Sequence, residues 1–152
     1  MKHRKDGVDP VQRSRARRRA LQAVYAWQVS GGTADGVIAQ FAHEQAKEVA
    51  DLAYFEDLVR GVIRQRQTLD ESLGEFIDRT VEEVDQIERA ALRIAAYELL
   101  HRPDVPYRVV INEAIDSTKR FGSEHGHTYV NGVLDQAAAQ WRAVEFSAAR
   151  SR

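Results

Sequence analysis

Residues 13–19 read RSRARRR, five arginines in seven positions, and the apolar, aromatic run ALQAVYAWQV follows at once. Guanidinium groups at this density bind anions, and their planar donor forks suit phosphate oxygens above other partners. The chain as a whole is almost neutral, with 22 Lys+Arg against 23 Asp+Glu in 152 residues. The first 19 residues nevertheless hold eight basic and two acidic side chains, and the remainder holds 14 basic and 21 acidic. That asymmetry reads as an anion-binding arm on an acidic body.

Other chemistry is thin. The five histidines are His3, His43, His101, His125 and His127. Only the last two are close, and their spacing is not the i, i+4 of a helical metal pair, so neither a metal nor a cofactor is expected. Glu82, Glu83, Asp85 and Glu88 crowd the start of a helix, where the helix dipole favours carboxylates. They read as solvated and stabilising, not as acid–base catalysts. The absence of Cys excludes disulfides, thiolate nucleophiles and cysteine–zinc sites. No glycine-rich phosphate loop, nucleophile elbow or metalloprotease motif occurs, and a non-catalytic protein is expected. No apolar run nears the roughly 18 residues of a membrane span, and the N-terminus has no signal-peptide core, which points to the cytoplasm.

Helical spacing recurs along the chain and strand-like alternation does not. The expected helices cover about 14–30, 33–46, 49–67, 68–78, a fifth from Thr80 to His101, 106–121 and 126–143. Thr80 and Glu83 have the spacing of a capping box. Nine of the eleven residues from Ala90 to Leu100 are apolar, so the fifth helix is expected to be the buried central post. Asn131-Gly132 has the look of a hairpin turn, but the helical period runs through it; Gly132 is expected to mark a close helix–helix approach. The fold class is all-α with about seven helices. A flexible extension over 1–12 and a flexible tail over 146–152 flank a helical domain over 13–145.

In the first helix Ala20, Leu21, Val24 and Trp27 form the inner stripe. Arg15, Arg17, Arg18 and Arg19 sit at its positive end, where each cation costs about 0.3–1 kcal/mol. Arg13 and Arg17 project over the same stripe as Leu21 and Val24, so this end is expected to overhang the bundle or fray. Arg18 shares a flank with Tyr25, and guanidinium groups beside an exposed aromatic suit phosphate contact and base stacking on single-stranded RNA. The competing reading is a merely solubilising basic end.

The segments RRRALQAVYAWQVS, YFEDLVRGV, IERAALRIAAYELLHRPDVPYRVVINEAIDSTKRFG and YVNGVLDQA, in this order, resemble the NusB family of bacterial transcription antitermination factors, from about Arg13 to Ala139. The resemblance implies two three-helix subdomains sharing a core. It implies binding of boxA, a short single-stranded RNA element of nascent transcripts, notably ribosomal RNA leaders. The implied protein partner is NusE, a ribosomal protein, with NusA and NusG completing an antitermination complex on RNA polymerase. Carried onto this chain, it assigns RNA contacts to Arg13, Arg15, Arg17, Tyr25, Phe76, Arg79, Glu82, Lys119, Phe121 and Tyr129, with Arg18 as added positive charge. Glu88 falls at a position of the NusE interface. His125 stands at a loop position that is often acidic in the family.

Two alternatives compete. A NusB-like module attached to a ribosomal RNA methyltransferase would need a further domain for which 152 residues leave no room. A helical adaptor with an inert basic arm would bind partners but not RNA. Replacing Arg13, Arg15 and Arg17 by Ala is expected to weaken RNA binding and to leave thermal stability nearly unchanged.

Overall fold

Asp9 starts the first helix one turn earlier than the spacing predicts. Its carboxylate accepts from the amides of Val11 and Gln12, and Pro10 sits at the first helical position, where its missing N–H is harmless. The resulting α1 (Pro10–Ser30) ends at Gly31, whose φ of 76° favours glycine. In this computed structural model, which describes residues 8–44 and 50–150, the other helices are α2 (Ala34–Glu44), α3 (Leu52–Arg64), α4 (Arg66–Leu73), α5 (Gln86–His101), α6 (Tyr107–Phe121), α7 (Gly126–Trp141) and α8 (Ala143–Arg150). No strand occurs among the described residues. Residues 45, 46 and 49, at the facing ends of the expected second and third helices, lie outside the described residues, as do 1–7, 151 and 152.

The architecture is two three-helix groups on one core. Helices α1, α2 and α3 pack together, α5, α6 and α7 form the second group, and α1 crosses to pack on α5. Phe55, Leu58, Val59 and Val62 of α3 meet Ala20, Leu21 and Val24 of α1 and Ala91, Leu92 and Ala95 of α5 in one continuous apolar cluster. The expected central post is present, and its two polar exceptions are its ties to the neighbours. Glu98 is bonded to α1 and α3, and Arg93 to Asp70 of α4 at 2.8–2.9 Å and to Gln28 of α1 at 3.0 Å. Two charges buried inside the apolar stretch from Ala90 to Leu100 must each meet a counter-charge.

Three local expectations change. The Thr80–Glu83 capping box is formed, but it opens only the single 3-10 turn Val81–Glu83; α5 starts afresh at Gln86, capped by Asp85. Gly132 faces open space, so no helix approaches it. The close approaches are at Gly61, where a Cβ would overlap the Tyr97 ring, and at Gly126, where it would overlap the Glu88 carboxylate. Finally, 143–150 is helical where 146–150 was read as tail. The Arg142 guanidinium explains the added helix: it donates to the carbonyls of Glu98, Leu99, Arg102 and Val105 and to the Glu145 carboxylate. Among these, the Leu99 carbonyl is open at the end of α5 because its i+4 residue is Pro103, and the set of bonds holds the start of α8 against that end.

Candidate nucleic-acid interface

The arginine run divides by helix face. Arg17 and Arg19 are buried, at 4% and 1% exposure. The Arg17 guanidinium grips the Glu98 carboxylate from Nε at 3.0 Å and from Nη2 at 2.9 Å, and reaches Glu113 at 3.4 Å. The Tyr54 hydroxyl donates to the same Glu98 carboxylate. Burial opposes ionisation of Arg17, but the charge and hydrogen bonds of Glu98 outweigh it and hold the guanidinium above its ordinary range. Burial and then Glu98 push the Tyr54 phenol far up. Arg13 stacks 4.0 Å from the Tyr54 ring centroid and meets Asp51 at 3.5 Å.

The expectation that Arg13 and Arg17 overhang the bundle is therefore corrected. Tyr54 of α3, Glu98 of α5 and Glu113 of α6 meet this part of α1 and enclose it. Arg17 is left no face for a phosphate.

Arg18 lies on the other side. With Lys119 and Arg120 it lines a groove of about 400 Å³ between α1 and α6, beside Ser14, Glu113 and Asp116. These three cations make no hydrogen bond or ion pair among the described residues. Tyr25, 38% exposed, follows Arg18 on the same flank of α1, seven residues or about 10 Å on. Arg15 is half-buried and already engaged.

A second cluster gathers where α5 and α7 begin. The Arg79 guanidinium lies 4.6 Å from the Tyr129 ring centroid and pairs with Asp78 at 2.7 Å; the Tyr129 hydroxyl points to Asp78 at 3.5 Å. Phe76 is half-buried, edge-on to Trp141 at 5.5 Å, and Phe121 packs half-buried against the core. Glu82 is exposed, and its carbonyl accepts from Arg89. The turn 122–125 joins Lys119 and Phe121 on α6 to the start of α7 and so links the two clusters.

Glu88 differs from its expected solvated state: it is 6% exposed, takes a hydrogen bond from Ser123 at 3.2 Å and packs on Gly126. Burial, then the adjoining Asp85 carboxyl, raises its pKa against the opposing pull of Ser123 and Arg79. A carboxyl whose folded pKa lies above the unfolded one stabilises the fold fully below the unfolded value, and that contribution is lost as pH rises through the folded value. The melting temperature of wild type is accordingly expected to fall, relative to Glu88→Gln, as pH rises from below about 4.5 through the mildly acidic range. Parallel curves for the two proteins would refute this.

The arrangement offers uncommitted cations, exposed aromatic surface and no paired acid–base groups. No group of metal-ligating side chains occurs among the described residues, and none of their helices is long and apolar enough to cross a membrane. Sequence reasoning missed Arg120, because a cation in the last turn of a helix is already explained by the dipole. It also missed Glu98 and Arg93 as partners, although two charges in an apolar helix signal that each has one.

Comparisons with known proteins place the fold and the sequence in one family. The NusB family model matches residues 14–139. The chain is 75% identical over 145 residues to the transcription antitermination protein NusB of Xanthomonas axonopodis pv. citri (strain 306), covering 95% of this chain and 91% of that protein. It is 72% identical over 142 residues to that of Stenotrophomonas maltophilia (strain K279a), covering 93% and 89%. The fold is similar to T. maritima NusB, with a TM-score of 0.74 at 27% identity over 88% of this chain and 96% of that one. A chain in the crystal structure of antitermination factors NusB and NusE in complex with dsRNA has the same fold, with a TM-score of 0.76 at 23% identity over 86% of this chain and 96% of that one. With the family model spanning most of its length and close relatives covering nearly all of it, this chain belongs to the NusB family.

Proposed function

We propose that the chain is a transcription antitermination factor that binds boxA RNA of nascent transcripts, notably ribosomal RNA, together with NusE. On this reading it acts in the cytoplasm without catalysing a reaction. It joins NusA and NusG on RNA polymerase and helps the enzyme resist termination. The observation that carries the RNA part is the α1–α6 groove, where Arg18, Lys119 and Arg120 have no hydrogen-bond or ion-pair partner among the described residues. Cations left uncommitted on an acidic body are available to phosphates, and Tyr25 on the adjoining flank offers a ring to a base. Arg79, Phe121 and Tyr129 extend the surface around the α6–α7 turn. Glu88, being buried, serves the NusE side by shaping that turn.

Titration of labelled boxA RNA against salt tests the reading. Log K is expected to fall with log salt at about −0.7 per phosphate neutralised, and Arg18→Ala with Lys119→Ala to flatten the slope by about 1.4. A salt-independent affinity would leave the arm inert. NusE is expected to raise RNA affinity by completing a shared surface; equal affinities with and without it would refute that part.

A further inference from the structure

A second groove, of about 360 Å³, opens between α6, α7 and α8. Its third wall, α8, lies beyond residue 139, where the match to the family model ends. Arg108 and Arg150 flank it, Asn112 and Asn131 line it from α6 and α7, and Phe146 supplies a half-buried ring, packed 5.2 Å from that of the buried Tyr107 beneath it. The Arg150 guanidinium rests 4.8 Å from the Phe146 centroid, largely exposed, and its nearest carboxylate, Asp135, is 3.8 Å away, beyond hydrogen-bond reach. The Arg108 guanidinium stands 5.8 Å from the Tyr107 centroid and makes no ion pair among the described residues. Neither carboxamide has a hydrogen-bond partner among the described residues.

This set of groups selects its ligand. Guanidinium heads take phosphate, while a carboxamide both donates and accepts and so matches base edges. Aromatic and guanidinium planes stack on bases. A peptide site would instead present an open apolar pocket for a buried anchor, whereas Tyr107 and Ile111 at the floor of this groove are already buried in the core and its rim carries two cations, two amides and a carboxylate.

The two grooves flank α6, and one exposed side of that helix runs between them. Arg108, Asn112 and Lys119 follow one another on α6 at i, i+4 and i+11, along one side of the helix. All three are exposed. Lys119 lines the α1–α6 groove and Arg108 this one, about 16 Å apart along the helix axis.

We infer that the α6–α7–α8 groove is a second single-stranded RNA subsite, holding nucleotides that flank the segment bound between α1 and α6; the inference rests on the RNA-binding reading above. The test uses the full chain and fluorescence anisotropy with two labelled probes, a short boxA RNA and the same RNA lengthened at both ends with uridines. The longer RNA is expected to bind about tenfold tighter, the gain from stacking roughly one further base. Arg108→Ala with Arg150→Ala should abolish that gain and flatten the long-RNA salt slope by about 1.4, leaving the short RNA unchanged. Asn112→Asp with Asn131→Asp, both exposed, should also abolish it by repelling phosphate.

Equal affinity of wild type for the two RNAs, or equal losses on both in the variants, overturns the inference while leaving the first groove standing. Variants that keep both RNA affinities but lose NusE would make the groove a protein surface and also overturn it. Failure of wild type to bind even the short RNA removes the RNA-binding reading as well.

Discussion

Arg17→Ala is expected to destabilise the fold by about 3–5 kcal/mol, the usual cost of removing one partner from a buried ion pair. For a domain of this size that lowers the melting temperature by something on the order of 10 °C. The reason is what stays behind. Glu98, 1% exposed, would keep the Tyr54 hydroxyl as a donor but lose both charged bonds from Arg17. Glu98→Ala strands Arg17 in the same way and should cost a similar amount. Arg17→Met, Tyr54→Phe and Glu98→Leu together replace the whole network by apolar groups and should recover much of the loss, because no buried charge or hydroxyl is then left unpaired. Thermal melts of the three proteins check this. A melting temperature for Arg17→Ala within about 2 °C of wild type would refute the assignment of Arg17 to the core. The Arg13, Arg15 and Arg17 triple substitution therefore cannot serve as a stability-neutral probe of RNA binding, since it breaks the buried network as well.

Arg18→Glu with Lys119→Glu is the cleaner functional probe and the change expected to harm RNA binding most. Both side chains lie on the α1–α6 groove without hydrogen-bond or ion-pair partners among the described residues, so their reversal removes no bond seen to support the fold. Substitutions at such surface positions move stability by only about 0.5 kcal/mol. Placing two carboxylates against phosphate repels it as well as removing the attraction, and like charges brought together cost several kcal/mol, so an affinity loss of about 100-fold is expected. The readouts are RNA affinity across salt and a thermal melt. Unchanged RNA affinity in a folded variant would clear the groove of any role. A large drop in melting temperature would mean that the two side chains carry structural load after all.

These two substitutions, one residue apart on α1, show where sequence reasoning stops. At about 100° per residue, Arg17 and Arg18 point to different faces of the helix, and that much is legible from spacing. The spacing also places Arg17 on the inner stripe with Leu21 and Val24. The step from there to an overhanging helix end rested on the premise that an arginine cannot be core. Burial of an arginine depends on a carboxylate arriving from elsewhere, and Glu98 is 81 positions away along the chain. Glu88 shows the converse: its place in the first turn of α5 implied solvent, and the α6–α7 turn closes over it through Ser123 and Gly126.

Gly132 and Gly126 illustrate the same division. Both fall within α7, and the sequence offered the former as the close approach, whereas the latter is where Glu88 packs. Which glycine faces a neighbour is a property of the neighbour. Helix α8 likewise could not be read from its own eight residues, none of which is buried. Its hold comes from Arg142 reaching carbonyls at the end of α5.

By itself, then, the sequence determined helices α1 to α7, the apolar central post, the charge asymmetry and the family resemblance, because periodicity, capping and charge are local properties. Only the tertiary structure decided which arginines are buried in the core and which line an open groove. Long-range pairing supplied the counter-charges: Glu98 and Glu113 bound Arg17 into the core, while Arg18, Lys119 and Arg120 were left facing solvent.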